Sequence, residues 1–141
     1  MIAIDTNLLV YVHRAGVPEH APARVALEAA RNAPGGWGVS WPVVAELWSV
    51  LSGSAVGPKA VALHVVEAMI ADITRAGGAI WMPSAGMANR LASHANRMGV
   101  RGTRIFDLQI ACIAREHGAR ELWTHDAGFL TVPGLPVRDP L

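Results

Sequence analysis

Four acidic side chains limit the folds open to this chain, because each lies in an uncharged or apolar stretch far from the others: Asp5, Glu46, Asp107 and Asp126. The first ends the apolar run at residues 1–4, and the second is the only charged residue between positions 31 and 59. Carboxylates rarely enter apolar surroundings unless they are paired, hydrogen-bonded or bound to a cation. A fold that gathers these four side chains would form a site for a divalent metal ion.

The length of 141 residues predicts one domain, and 52% of the residues are hydrophobic. No apolar run reaches the roughly 20 residues that a membrane-spanning helix requires. The apolar surplus therefore favours a parallel sheet that is covered on both faces, or an interface between copies of the chain.

The basic residues are almost all arginine, since only Lys59 among the twelve is a lysine. The formal net charge is +1, but setting aside the four isolated carboxylates leaves seven acids against twelve bases. A basic surface around an acidic pocket would suit a phosphodiester substrate. A bias in genome composition would explain the arginines equally well.

The first residues contain no basic segment followed by a long apolar one, so we expect no signal peptide. Cys112 is the only cysteine, which excludes an intrachain disulfide and a cysteine-rich zinc site. Its apolar surroundings predict a core residue rather than a nucleophile. These features together favour a cytoplasmic protein.

Short apolar runs alternate with helical patterns along the chain. Strands are predicted at residues 2–5, 37–39, 79–82 and 121–124, with a short edge strand at 136–138. Helices are predicted at residues 7–13, 19–31, 41–51, 58–75, 84–98 and 103–117, with a loop at 53–57. Ser40, Ser84 and Thr103 are the expected helix caps. This alternation predicts a three-layer α/β/α sandwich around a mainly parallel, Rossmann-like sheet.

Sites in such folds form beyond the carboxyl ends of the strands. Asp5 ends the first predicted strand and Asp126 closely follows the fourth, so both are expected at that edge. Asp107 lies early in its helix, where the positive helix end favours a carboxylate. Glu46 reaches the same place only if its helix turns residues 43, 46 and 50 toward it.

Each acid also has a structural explanation that the sequence leaves open. Asp5 could cap the first helix, and Glu46 could lie on a solvated helix face. Asp107 could pair with Arg104, and Asp126 could cap the turn that follows it.

With these residues in place, the chain resembles the PIN domain and, within that family, the VapC-like toxins of bacterial toxin–antitoxin pairs. The resemblance covers nearly all of residues 1–141 and implies a single PIN domain. Its motifs are Ile-Asp-Thr-Asn at 4–7, Val-Ala-Glu-Leu at 44–47, Phe-Asp-Leu-Gln-Ile-Ala at 106–111, Thr-His-Asp-Ala-Gly-Phe at 124–129 and Val-Pro-Gly-Leu-Pro-Val at 132–137.

The resemblance implies an endoribonuclease that depends on Mg²⁺ or Mn²⁺. It implies a catalytic acidic quartet of Asp5, Glu46, Asp107 and Asp126, beside which Asn7 and Thr124 are supporting polar residues. Hard cations prefer oxygen ligands, so we expect Asp5 and Asp107 to hold the metal directly or through water. His125 stands where arginine is frequent in relatives and Cys112 where alanine is common, which bears on specificity rather than chemistry.

The resemblance also implies partners. A cognate antitoxin would cover the acidic pocket, RNA would be the substrate, and the toxin would form homodimers. Arg101 and Arg104 precede Asp107 and are candidate contacts for RNA phosphates, or else a solvated surface pair.

Two other functions remain open at this point. One is a non-catalytic, PIN-like module that binds RNA. The other is a different metal-dependent phosphoryl-transfer enzyme, although the chain has no G-x-G-x-x-G motif and no P-loop.

Overall fold

The computed structural model describes residues 1–53 and 60–141. Within them, five short strands form one sheet: β1 (Ile2–Ile4), β2 (Trp37–Ser40), β3 (Ala79–Trp81), β4 (Glu121–Trp123) and β5 (Val137–Arg138). Six helices connect and cover the strands: α1 (Thr6–His13), α2 (His20–Arg31), α3 (Trp41–Ser52), α4 (Leu63–Arg75), α5 (Met87–Met98) and α6 (Arg104–Glu116).

The strands are ordered β3-β2-β1-β4-β5, and every pairing between neighbours is parallel. This arrangement confirms the predicted three-layer α/β/α fold with its central parallel sheet. The chain adds strands on one side of β1 as far as β3, and then returns to the other side for β4 and β5. The order therefore reverses between β1 and β4, which is where open parallel sheets form crevices at their carboxyl edge.

The sheet is buried because its strands are apolar on both faces. All residues of β1 and β2 are buried, and in α6 the six residues Leu108 and 110–114 are buried as well. Cys112 lies in this core with 4% of its surface exposed, as its surroundings predicted. No helix among the described residues is both long and apolar enough to cross a bilayer.

Two predicted helix starts are wrong. The helix predicted from Ser84 begins at Met87, because Gly86 has a φ of 76° and its left-handed conformation interrupts the helix. The Ser84 hydroxyl instead donates to Glu116 at 2.6 Å. The helix predicted over 58–75 begins at Leu63, since Ala62 is extended with a ψ of 138°. Its predicted first residues, 58 and 59, and the predicted loop from position 54 onward lie outside the described residues.

Ser40 stands at the predicted cap of α3, but its side chain does not cap that helix. The hydroxyl donates instead to the carbonyl oxygen of Ile110 in α6, at 2.7 Å and fully buried. The end of β2 is thus fastened to the helix that carries Asp107.

Two glycines let the sheet accept its large aromatic side chains. A Cβ atom on Gly38 would lie 2.6 Å from the Trp81 ring and 2.8 Å from the Ala79 carbonyl oxygen. A Cβ atom on Gly78 would lie 2.6 Å from the Trp37 ring. Real contacts of that kind are not tolerated, so each tryptophan packs on a bare stretch of backbone in the neighbouring segment.

We expect Gly38→Ala to lower the free energy of unfolding by about 2 kcal/mol, because the added methyl group overpacks a rigid site between β2 and β3. Gly16→Ala is the matched control, since a Cβ atom there would have no neighbour within 4 Å. Denaturant unfolding of both variants measures the difference. Equal stability of the two variants would show that the sheet can shift to accept the methyl group.

Candidate active site

Asp5 lies at the point where the strand order reverses. It directly follows β1, its backbone N–H donates to the carbonyl oxygen of Trp123 in β4 at 3.0 Å, and 6% of its surface is exposed. Its Oδ1 accepts a hydrogen bond from the N–H of Thr6 at 2.8 Å. The side chain therefore caps α1, as one of its two predicted roles required, and still presents its second oxygen to the crevice.

That second oxygen, Oδ2, is held by the two polar residues that flank it. The Thr124 hydroxyl donates to it at 2.7 Å, and the side-chain amide of Asn7 donates to it at 3.1 Å. The same Asn7 amide donates to Thr124 Oγ1 at 2.7 Å, and the N–H of Asp126 donates to that hydroxyl at 3.1 Å. Thr124 and Asn7 thus fix the orientation of Asp5 and link the end of β1 to the end of β4.

Glu46 reaches the crevice from α3, although its residue as a whole is exposed. Its Oε2 accepts a hydrogen bond of 2.6 Å from the Thr6 hydroxyl, and Thr6 is buried. The helix does turn positions 46 and 50 toward the site, while Val43 on the same side is fully buried. Thr6 was not singled out from the sequence, yet it connects Glu46 to Asp5. Its hydroxyl donates to Glu46 and its backbone N–H donates to Asp5.

Asp107 lies in the first turn of α6 and is half-buried. Its Oδ2 accepts a long hydrogen bond, 3.4 Å, from the N–H of Leu130. Burial raises the pKa of this carboxyl, and the nearby charges of Asp126 and Glu46 add to the rise. Arg104 opposes the rise but forms no salt bridge with Asp107, so the predicted ion pair is absent among the described residues.

Asp126 is exposed and lies in the loop after β4. Its Oδ1 accepts a 2.8 Å hydrogen bond from the N–H of Gly128, which is the turn that its alternative explanation predicted. The second oxygen, Oδ2, has no hydrogen-bond partner among the described residues. Asp126 therefore stabilises its own loop and still contributes charge to the crevice.

The four carboxylates line one open cleft of about 450 Å³. The other lining residues are Thr6, Asn7, Val10, Tyr11, Arg14, Val50, Phe106, Ile110, His125 and Phe129. Tyr11 and Arg14 were missed in the sequence, although they follow Asn7 by four and seven residues. That helical spacing from a suspected site residue is the signal that could have found them.

Arg101 and Arg104 are exposed and do not line the cleft. Arg104 lies at its margin, where Nη2 approaches the carbonyl oxygen of Gly128 at 3.5 Å. Arg104 is therefore close enough for its charge to act on Asp107, although neither arginine lines the cleft.

Burial, more than the neighbouring negative charge, changes the acidity of Asp5. Burial raises its pKa to about 6, against the hydrogen bonds from Thr124 and Thr6, and the charges of Glu46 and Asp107 add to the rise. A cation bound beside Asp5 would lower this pKa again, because it would stabilise the ionised carboxylate and offset the charges of the neighbouring carboxylates.

The donor set fits a hard divalent cation that keeps part of its water shell. In residues 1–53 and 60–141, no three His, Cys, Asp or Glu side chains are grouped closely enough to hold a metal by themselves. Magnesium binds readily through one or two carboxylates plus water, whereas zinc favours a closed set of nitrogen and sulfur ligands. The four carboxylates offer only oxygen ligands, which agrees with the first of these.

The raised pKa of Asp5 predicts how the metal-free protein responds to pH. A carboxyl whose pKa is higher in the folded state contributes stability below its unfolded value of 3.8, and that contribution is lost as the pH rises through about 6. In EDTA, the unfolding free energy of the wild type should therefore fall by about 2 kcal/mol relative to Asp5→Asn between pH 4.5 and pH 7.5. Denaturant titrations of both proteins across this range measure the difference, and a constant difference would contradict it.

The comparisons with known proteins agree with this geometry. The family profile of the PIN domain matches residues 2–135. Ribonuclease VapC43 of Mycobacterium tuberculosis is 30% identical over 149 aligned residues, which cover 100% of this chain and 96% of the relative.

Two solved structures share the fold. VapC20 of Mycobacterium tuberculosis, a toxin that cleaves the sarcin–ricin loop, has a TM-score of 0.68 at 18% identity and covers 94% of this chain and 98% of its own. VapBC2 of Rickettsia felis, bound to a DNA fragment from its promoter, has a TM-score of 0.62 at 23% identity, with coverage of 99% and 98%. Profile, relative and structures agree over almost the whole length, and the chain belongs to the PIN domain family.

Proposed function

We propose that this protein is the toxin of a toxin–antitoxin pair and that it hydrolyses RNA phosphodiester bonds with Mg²⁺ or Mn²⁺ bound at its acidic cleft. The relative VapC43 is named a ribonuclease, and the similarity extends over the whole of this chain. Residues 1–141 would form one PIN domain that acts in the cytoplasm.

The observation that carries the proposal is the way in which the carboxylates are held. Glu46, Asp107 and Asp126 each use one oxygen to accept a hydrogen bond from the protein, and the second oxygen has no partner among the described residues. Both oxygens of Asp5 accept hydrogen bonds, and burial raises its pKa to about 6. Such a set is oriented by the protein and still has lone pairs to offer to a metal and its waters.

We assign Asp5 and Asp107 as the residues that hold the metal. Glu46 and Asp126 would bind its waters or orient the water that attacks the phosphate, each fixed by one hydrogen bond. Asn7 and Thr124 would hold Asp5 in place through the contacts described above. When bound, the cation supplies an activated water and offsets charge on the scissile phosphate.

The partners follow from the same proposal. The Rickettsia felis neighbour is a VapBC pair, and we propose that a cognate antitoxin likewise binds this chain and covers its acidic cleft. A basic side chain of the antitoxin would take the place of the cation there.

We also propose a homodimer. Trp41, Trp48 and Phe106 expose 45%, 39% and 59% of their surfaces, which is unusual for large aromatic residues, and Phe106 also lines the cleft. A second copy of the chain would cover them and would account for part of the apolar surplus.

Purified protein should cleave RNA only with Mg²⁺ or Mn²⁺, and EDTA should abolish the activity. Asp107→Asn should lower the rate by at least about 100-fold, because it removes a charged ligand from the site. Asp72→Asn is the matched control, since Asp72 lies exposed on α4 and pairs with Arg75. A panel of structured RNAs, analysed on denaturing gels, measures the rates.

The same experiment separates the alternatives. Cleavage that persists in EDTA or in Asp107→Asn would contradict the metal-dependent mechanism. Binding of RNA without cleavage, in a preparation free of antitoxin, would favour the non-catalytic module. In cells, growth arrest on expression should be relieved by Asp5→Asn, and arrest that is unchanged by this substitution would contradict a catalytic origin.

A further inference from the structure

One part of the cleft lining carries no carboxylate. Tyr11 and Arg14 come from the end of α1, and His125 comes from the loop after β4. The metal chemistry proposed above uses none of these three side chains. They nevertheless share one cleft with the four acids, so a substrate bound there would meet them.

His125 is held on three sides. Its backbone N–H donates to Asn7 Oδ1 at 3.2 Å, which ties it to the residues that orient Asp5. Its ring nitrogen Nδ1 lies 2.9 and 3.1 Å from the two carboxylate oxygens of Asp139. The edge of the ring packs against Tyr11, with 5.9 Å between ring centroids and a 76° angle between planes. A side chain at the rim of a cleft rarely has this many constraints.

Asp139 reaches this position because of the sheet. β5 pairs with β4 in the register Leu122 with Val137 and Trp123 with Arg138, so the residue after β5 lies beside the residues after β4. The N–H of Leu141 donates to Asp139 at 3.1 Å. This bond, followed by the contact with His125, holds the pKa of Asp139 below its usual value, so the group stays ionised and acts only as an acceptor toward the imidazole.

The contact with Asp139 determines what the rest of the ring can bind. Because a carboxylate accepts, the hydrogen of the ring lies on Nδ1, and Nε2 is left without a partner among the described residues. Nε2 accepts a hydrogen bond when the ring is neutral and donates one when the ring is charged. A hydroxyl group satisfies both states, because it donates and accepts, whereas a phosphate oxygen only accepts.

Arg14 supplies the complementary chemistry. It lines the cleft and forms no salt bridge with the described acids, although four carboxylates share the same cleft. A guanidinium in this position suits a phosphate group, which it can bind in a bidentate manner.

We infer that Tyr11, Arg14 and His125 form the RNA-binding wall of the cleft, in which His125 contacts a ribose 2′-hydroxyl near the scissile bond and Arg14 contacts a phosphate. Asp139 is the positioning residue for His125. The inference rests on the proposed ribonuclease function and adds to it the means by which the site distinguishes RNA from DNA, since the 2′-hydroxyl is the group that DNA lacks.

The test compares substrates that differ by one hydroxyl. The shortest RNA that the wild type cleaves is prepared as a series with a single 2′-deoxy nucleotide at each position around the cleavage site. At one position, loss of the hydroxyl should raise KM about 10-fold for the wild type with little change in kcat. This is the effect expected when the lost contact stabilises the bound substrate and the transition state equally. For His125→Ala, the same position should show no penalty, because the partner of the hydroxyl is already gone.

Asp139 is tested through rescue. Asp139→Ala should lose most of the 2′-hydroxyl penalty, whereas Asp139→Asn keeps an acceptor for Nδ1 and should retain it. Thermal unfolding of each variant identifies any that fail to fold. If His125→Ala is among them, it is replaced by His125→Gln, which keeps a polar group at the rim. If removing the 2′-hydroxyl raises KM equally in the wild type and in His125→Ala, the contact is overturned, because the imidazole and the hydroxyl would then act independently.

Arg14 is tested by salt dependence. Arg14→Ala should reduce the slope of log affinity against log salt by about 0.7 for single-stranded RNA and for DNA of the same sequence. Arg24→Ala, on the exposed face of α2, is the matched control. An unchanged slope would overturn the phosphate contact.

The outcomes also separate this inference from the function on which it rests. If the wild type cleaves RNA but His125 shows no coupling to any 2′-hydroxyl, the RNA-binding wall is wrong and the nuclease stands. If the wild type cleaves no RNA with either metal, both are overturned together.

Discussion

Asp5 lies where β1 and β4 end side by side, and the geometry of the acidic cleft is built around its buried carboxylate. Asp5 is almost fully buried and has acidic neighbours, so its charge is unfavourable in the metal-free protein. Hydrogen bonds from Thr6, Asn7 and Thr124 stabilise the ionised carboxylate. The first two donors follow β1, and the third follows β4, which pairs with β1. The parallel sheet therefore places these donors beside Asp5. The reversal in strand order between β1 and β4 forms the cleft in front of it.

Much of this could be predicted from the sequence because it depends on where strands end. Asp5 and Asp126 follow apolar strands, and parallel strands end at one edge, so their meeting required no knowledge of packing. The same reasoning, together with the motifs, predicted the PIN fold, and the structure and the comparisons confirm it. The roles assigned to the individual acids stay predictions. Their alternative explanations also proved partly correct, since Asp5 does cap α1 and Asp126 does close a turn.

The remainder could not be predicted because it depends on register and rotation. Asp139 gains its place beside His125 only through the pairing of β5 with β4, and a two-residue strand carries no pattern that sets its register. Ser40 is a further example. It occupies the cap position of α3 that the sequence predicted, but its hydroxyl donates to a carbonyl oxygen of α6, a contact that depends on tertiary packing. Arg14 is the exception, because its spacing of seven residues from Asn7 already indicated the side of α1 that faces the cleft.

These contacts indicate a division of roles within one sheet edge. The residues after β1 and β4 include Asp5 and the donors that orient it. The residues after β4 and β5 include His125 and Asp139, whose carboxylate orients the imidazole. Asn7 joins the two groups, because its amide donates to Asp5 and its oxygen accepts from the backbone of His125. Under the proposed function, a displacement of the His125 loop would therefore reach Asp5 through Asn7 and also through Thr124, which accepts from the N–H of Asp126 and donates to Asp5. The groups that bind the substrate and those that bind the metal would then be oriented together rather than independently.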